Sequence, residues 1–176
     1  EMTILFTDIQ GFTALAEKLP ARELADLLNE HFTLIVRAIE AEGGTVDKYL
    51  GDGAMAFWGA PERQGDHAAR ACRAAVAIAQ AVEADNKVRR AAGKPPIRTR
   101  IGVHSGNVVV GNIGAPSRVN YTIVGDPVNI ASRIDSLAKE LATDEDCIVL
   151  VNGDACEHAN IQADASFDLS PLGERE

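Results

Sequence analysis

The sequence predicts an α/β (α+β) fold, a sandwich with a ferredoxin-like βαββαβ core and additional helices and strands. Short apolar runs bounded by turn residues alternate with longer stretches of helical periodicity. A Gly-Asp-Gly triplet at 51–53 joins two of the short runs as a hairpin. Helical stretches separate this hairpin from the strands before and after it. The predicted element order is therefore β-α-α-β-β-α-β-β-α-β.

The first half of the chain supplies the hairpin and the helices on either side of it. Apolar residues recur at helical spacing from Leu24 to Ile39, and Gly43 and Gly44 stop that helix. The predicted elements are a buried strand at 2–6, a short helix at 13–18, a helix over 24–39, strands at 45–50 and 54–58, and an alanine-rich helix at 66–92.

The second half begins after Pro95 and Pro96, which break the chain. A long apolar region predicts a strand, and a stretch rich in glycine and polar residues predicts a loop. Pro127 is compatible with the first turn of a helix. The predicted elements are a strand at 97–110, a loop at 111–118, a strand at 119–124, a helix at 126–141, a strand at 147–151 and a short helix after 153.

Composition narrows the class of protein. The 176 residues suit one domain, 1–176, and a net charge of −9 disfavours a nucleic-acid or anionic-membrane surface. Three cysteines without a CxxC motif favour a reducing, cytoplasmic compartment. No apolar run has the length of a membrane span, and no signal peptide is visible. Because the sequence opens directly on a strand, we expect a domain excised from a larger protein with an upstream regulatory region or membrane anchor.

Two aspartates are candidates for a metal site. Asp8 ends the first strand and Asp52 lies at the hairpin tip. Each alone is explained more simply as a cap or turn residue. In a ferredoxin-like sheet the first strand lies beside the central hairpin, so the two carboxylates can meet. Such a pair suits Mg²⁺, and the backbone amides of 9–13 could hold a phosphate at a helix start.

Other polar residues leave two interpretations open. Asn129 and Arg133 are four residues apart and share a helix face, where they either contact a phosphate or are simply solvated. Lys48 precedes the hairpin tip and is by default an exposed lysine. Arg100 opens a buried strand, or extends its charge to solvent. His104 is expected to pack in the core.

Four strings in this order resemble the catalytic domain of the class III adenylyl/guanylyl cyclase family. They are FTDIQGFT at 6–13, DKYLGDG at 47–53, RIGVHSG at 100–106 and YTIVGDPVNIASR at 121–133. The resemblance covers nearly the whole chain. It implies a class III cyclase fold, conversion of ATP to 3′,5′-cyclic AMP and pyrophosphate, two Mg²⁺ (or Mn²⁺) ions, and a head-to-tail homodimer with two shared sites.

The resemblance also implies a role for each matching position. Asp8, Ile9 and Asp52 would bind metal; Gly11, Phe12, Thr13 and Arg100 would contact the triphosphate; Lys48 and Thr122 would select adenine; Asn129 would position the ribose; and Arg133 would stabilise the transition state. With a threonine at position 122, the sequence is similar to the subgroup of the family that includes bicarbonate-responsive cyclases. Family members also carry a lysine on a hairpin near the C-terminal end of the domain. This sequence ends at 173–176, before that position, so either the lysine lies beyond the sequence or Arg175 replaces it as a poor substitute.

Hydrogen-bonding patterns favour ATP as the substrate. Adenine offers an acceptor at N1 and a donor at its 6-amino group, which suit the donor Lys48 and the acceptor Thr122. Guanine presents the reverse pattern, and Lys48 would then face another donor. Thr122 can also donate, so Lys48 carries most of this argument. A guanylyl cyclase and a catalytically silent nucleotide-sensing or dimerisation module are the alternatives. The string LGDGA at 50–54 is not the GG(D/E)EF signature of diguanylate cyclases.

Overall fold

The computed structural model describes residues 1–141 and 144–160. The strands are β1 (Met2–Ile9), β2 (Thr45–Leu50), β3 (Gly53–Trp58), β4 (Thr99–Gly106), β5 (Val109–Ala115), β6 (Arg118–Val124) and β7 (Cys147–Val151). The helices are α1 (Phe12–Ala16), α2 (Ala21–Ala41), α3 (His67–Ala91), α4 (Asp126–Leu137) and α5 (Gly153–Ala159), with a 3₁₀ turn at Ala138–Glu140. None of the helices in these two ranges has the length and apolar character needed to cross a bilayer.

The main sheet has five strands in the order β2-β3-β1-β4-β7. Strands β2, β3, β1 and β4 pair antiparallel, and β7 joins β4 in parallel. The first four strands have the ferredoxin-like order, so the predicted fold class is confirmed. Strands β5 and β6 form a separate two-stranded sheet.

Successive side chains along each strand point to opposite faces of the sheet, so the hydrophobic core is divided between these two faces. Leu5 and Val103 pack with α2 and α3 on one face. Ile4 and Phe6 pack on the other, where α4 and the β5–β6 hairpin cover the sheet. Asp8 continues the series Ile4, Phe6 and therefore lies on the face covered by α4.

Two predictions about the second half are wrong. The strand predicted at 97–110 is divided into β4 and β5 at Asn107–Val108, and the loop predicted at 111–118 is largely strand. Gly111 pairs with Thr122 and Ile113 with Asn120. This hairpin has no buried apolar alternation, because most of its residues are exposed. Its glycines and polar residues therefore looked like a loop. The helix predicted at 126–141 ends as α4 at Leu137, followed by the 3₁₀ turn.

Gly102 sets how closely α4 approaches the sheet. A Cβ atom at this position would lie 2.4 Å from the amide nitrogen of Asp135 and 2.7 Å from the carbonyl oxygen of Ala131. Both of these are backbone atoms, so they cannot rotate away. The backbone of α4 consequently rests directly on β4, and this places the Asp135 side chain against the sheet.

His31 on α2 predicts a pH dependence of stability. It is 2% exposed, and burial, reinforced by the charge of Arg89, lowers its pKa from 6.5 to about 4. The unfolded chain therefore binds more protons than the folded chain below pH 6.5. We expect the free energy of unfolding to fall as the pH drops from 6.5 to 4, with His31 accounting for about 3 kcal/mol of the loss.

A His31→Gln variant removes this titration. Urea unfolding of both proteins between pH 7 and 4 measures the difference in slope. His158→Gln, on the exposed part of α5, is the matched control. Equal slopes for wild type and His31→Gln would show that His31 does not cause the acid sensitivity.

Candidate active site

The end of β1 and the tip of the β2–β3 hairpin meet, as the sequence suggested. The amide of Ile9 donates to Oδ2 of Asp52 over 3.2 Å. Beside it, a Cβ atom on Gly53 would lie 2.1 Å from the carbonyl oxygen of Thr7, so only glycine allows the tip to approach this closely. The side chains of Asp8 and Asp52 are hydrogen-bonded to each other.

The pKa values of the two acids in this pair are shifted in opposite directions. Burial raises the pKa of Asp52 to about 6, and the hydrogen bond and negative charge of Asp8 act in the same direction. Burial also opposes ionisation of Asp8, but its hydrogen bonds to Asp52 and Arg100 outweigh this and lower its pKa. Asp52 therefore resists ionisation more than an ordinary aspartate does, and a cation bound beside the pair would favour its charged form.

Two basic side chains reach the same pair. Arg100 lies opposite Asp8 in the β1–β4 register, and its Nη2 donates to Oδ2 of Asp8 over 2.5 Å. Nζ of Lys139 lies 3.6 Å from the same oxygen. The Arg100 side chain is only 8% exposed, so it does not extend to solvent. Its position beside the carboxylates suits a contact to an anionic ligand.

Asp135 is a residue that sequence reasoning missed. It lies on the buried face of α4, 7% exposed, and its Oδ1 has no hydrogen-bond partner. Burial, together with the negative charge of Asp8, raises its pKa to about 7. The signal available in the sequence was its position four residues after Ala131, which places both residues on the same face of the helix.

The turn after β1 offers a short row of amides. Gly11 adopts φ +72°, which lets the chain turn sharply into α1. The amide of Ile9 is bonded to Asp52, and that of Gln10 to the carbonyl oxygen of Arg98. The candidates for phosphate binding are therefore the amides of 11–13, which open α1 and lack acceptors within that helix.

Lys48 and Thr122 come together on the face of the sheet that α4 also covers. Nζ of Lys48 donates to Oγ1 of Thr122 over 3.2 Å, and that hydroxyl donates to Oδ2 of Asp47 over 2.5 Å. Lys48 is therefore an exposed lysine, with 41% of its side chain accessible, whose ammonium is hydrogen-bonded. Asp47, whose side chain is 1% exposed, was also missed. His104 is 5% exposed, as expected for a core residue.

Asn129 and Arg133 point away from the carboxylate pair. Both are exposed on α4, whereas Ala131 and Asp135 are buried against β4. Two residues along a helix correspond to a rotation of about 200°, so the exposed and buried pairs occupy opposite faces. One chain therefore does not bring Asn129 and Arg133 to Asp8.

Comparisons with known proteins identify the family of this chain. Residues 1–150 match the family described as adenylate and guanylate cyclase catalytic domain. The chain is 42% identical to adenylate cyclase 1 of Rhizobium meliloti over 81% of its own length and 22% of the relative's. It is 36% identical to an adenylate cyclase of Anabaena cylindrica over 96% of its length and 32% of the relative's. The chain thus spans a third or less of these two relatives.

Solved structures give the same result. The adenylyl cyclase CyaB from P. aeruginosa superposes with a TM-score of 0.81 at 34% identity, covering 91% of this chain and 80% of that one. The guanylyl cyclase Cya2 superposes with a TM-score of 0.80 at 32% identity, covering 99% of this chain and 87% of that one.

Proposed function

Because this chain belongs to the adenylate and guanylate cyclase catalytic-domain family, we propose that it converts ATP to 3′,5′-cyclic AMP and pyrophosphate. The observation that carries the choice of ATP is the contact between Lys48 and Thr122. This contact places the ammonium of Lys48, a donor, beside the hydroxyl of Thr122, an acceptor. The edge of adenine needs one partner of each kind. The relatives named adenylate cyclase, at 36–42% identity, support the same choice.

The carboxylate pair fits divalent cations. Asp8 and Asp52, with the backbone carbonyl of Ile9, would hold two Mg²⁺ or Mn²⁺ ions, because hard cations prefer oxygen ligands and share them with substrate phosphates. Asp52, whose pKa burial and the charge of Asp8 raise, would be stabilised in its ionised form by such an ion. Bound ions would lower the pKa of the ribose 3′-hydroxyl and offset the charge of the triphosphate.

The protein's own groups bind and orient the nucleotide. In the reaction, a bond forms between the 3′-oxygen and the α-phosphorus, the bond to the β-phosphate oxygen breaks, and the 3′-proton is released. Arg100 and the amides of 11–13 would hold the triphosphate. Asn129 would position the ribose, and Arg133 would stabilise the charge that develops on the α-phosphate.

A head-to-tail homodimer would complete the site. Since Asn129 and Arg133 face away from Asp8, a second copy has to supply them. The β5–β6 hairpin offers a surface for such an interface, because Val109, Val119 and Tyr121 on it are exposed. The dimer would have two equivalent sites, each with metal ligands from one chain and the α4 residues from the other.

Regulation of the domain would come from elsewhere in the parent protein. The curated relatives are three to five times longer than the aligned region, and one similar structure is a bacterial light-regulated adenylyl cyclase. We therefore expect a regulatory region in the same polypeptide. The likeness of Thr122 to the subgroup that includes bicarbonate-responsive cyclases stays a prediction. The C-terminal position discussed for Arg175 lies outside the described residues.

Product analysis tests the proposed activity. This chain and a form continuing past residue 176 are each incubated with ATP or GTP and with Mg²⁺ or Mn²⁺, and cyclic products are separated by chromatography. We expect cyclic AMP from ATP and at least about tenfold less cyclic GMP, because guanine leaves a buried donor unpaired. Faster formation of cyclic GMP would indicate a guanylyl cyclase. Nucleotide binding without either product would indicate a silent sensing module.

A further inference from the structure

A hydrogen-bonded chain of three side chains lies where the base is proposed to bind. Lys48 donates to Oγ1 of Thr122, and Thr122 donates to Asp47. The ammonium of Lys48 also lies 3.6 Å from Oδ1 of Asp47. Thr122 and the Asp47 carboxylate are both buried, at 6% and 1% exposure. Solvent therefore competes little for the bond between Thr122 and Asp47, whereas the Lys48 side chain remains 41% exposed.

The direction of these bonds fixes the role of Thr122. An ionised carboxylate has no proton to donate, so the proton between Asp47 and Thr122 belongs to the hydroxyl. A hydroxyl has one proton and two lone pairs. The proton is used by Asp47 and one lone pair by Lys48, which leaves Thr122 a single free lone pair. Thr122 can therefore only accept from a base.

A β-bulge makes this arrangement possible. Consecutive residues on a regular strand point to opposite faces, so Asp47 and Lys48 could not both reach Thr122. The β2–β3 register shifts between Val46 and Lys48, and Asp47 is the extra residue. Bulges re-aim side chains in this way, often beside functional sites.

We propose that Asp47 is a specificity-determining residue, which selects adenine over guanine by taking the Thr122 proton and restricting that hydroxyl to acceptance. This assignment rests on the proposed function and removes an ambiguity in it. Thr122 accepts from the 6-amino group of adenine and meets an acceptor at O6 of guanine. Two mismatches, at Lys48 and at Thr122, thus act against guanine instead of one.

The cost of burying Asp47 supports a role beyond packing. Its Oδ1 is buried and has no hydrogen-bond partner. An unpaired buried acceptor destabilises a fold, and an apolar residue of similar size would avoid that penalty. A carboxylate at this position is explained if it orients the hydroxyl of Thr122 and positions the ammonium of Lys48.

Substitution of Asp47 tests the proposal through the ratio of two substrates. Asp47→Asn can donate to Thr122, and Asp47→Ala leaves the hydroxyl unpaired, so either change frees the Thr122 proton for O6. We expect the ratio of kcat/KM for ATP to that for GTP to fall roughly tenfold or more in both variants. Inosine triphosphate, which has the same O6 and N1–H edge without the 2-amino group, should gain in parallel with GTP.

Asp154→Asn, an exposed acid on α5, is the matched control and should leave the ratio unchanged. Thermal melts identify any variant that does not fold. If Asp47→Ala does not fold, the conservative variant Asp47→Asn tests the proposal instead. An equal loss with ATP, GTP and inosine triphosphate would overturn the proposal and make Asp47 purely structural.

Measurements of nucleotide binding distinguish a failure of this proposal from a failure of the proposed function. If the wild type forms no cyclic product, the same ratios are read from the Kd values of non-hydrolysable ATP and GTP analogues, because base selection does not need turnover. An unchanged binding ratio in Asp47→Asn then overturns the role of Asp47 alone. Binding of neither analogue by the wild type overturns the proposed function and this assignment with it.

Discussion

Replacing Asp8 by alanine is expected to reduce cyclic AMP formation by about 10³-fold or more, since metal catalysis supplies several kcal/mol and each 1.4 kcal/mol is a factor of ten. Asp8 is bonded to Asp52 and to Arg100, so its loss also leaves a buried guanidinium without that carboxylate. Binding of Mn²⁺, followed by its electron paramagnetic resonance signal, should weaken together with activity.

Asp8→Asn keeps the size of the side chain and separates the charge from the packing. Asp154→Ala on the exposed part of α5 serves as the control for a general loss of negative charge. Activity of Asp8→Ala within tenfold of the wild type, in a folded protein, would remove Asp8 from the catalytic site.

Mixing Asp8→Ala chains with Arg133→Ala chains is expected to restore activity that neither variant has alone. Arg133→Ala should lower kcat roughly 10²-fold by itself, as loss of other electrostatic stabilisers does. In a mixed dimer one shared site carries both substitutions and the other carries none. With random pairing at equal amounts, about a quarter of the wild-type activity should return.

A pair of variants from the same half of the site provides the control. Asp8 and Asp52 are bonded to each other within one chain, so mixing Asp8→Ala with Asp52→Ala leaves a defect in every site. This mixture should stay inactive. Equal behaviour of the two mixtures would contradict a shared site.

The sequence predicted the fold because it depends on local patterns, whereas the roles of most residues in the proposed site were implied by the resemblance to the cyclase family. Buried strands, the Gly-Asp-Gly hairpin and the helical face of α2 each have a characteristic periodicity. The meeting of Asp8 and Asp52 followed from strand order alone. Asn129 and Arg133 share an exposed face because they are four residues apart on α4, as predicted.

The features that were missed depend on contacts between distant segments. Asp47 reaches Thr122 only because β2 has a bulge, and nothing in the spacing of residues 45–50 indicates one. Asp135 became notable only when Gly102 let α4 rest on β4. Residues 111–118, which form most of β5 and the turn into β6, were predicted as a loop because most of their side chains do not alternate with a buried face.

The two faces of α4 have a consequence for how such a protein can diverge after gene duplication. One copy could lose Arg133 and keep Asp8, and the other could lose Asp8 and keep Arg133, without either losing the helix that holds the fold together. In the proposed head-to-tail dimer, neither descendant would work with itself, but the two together would retain one complete site. The vacated second site would then be free to acquire a different ligand. Because Asp8 on β1 and Arg133 on the exposed face of α4 can be lost independently, an ancestral enzyme would have a route to an obligate pair with a second site available for control.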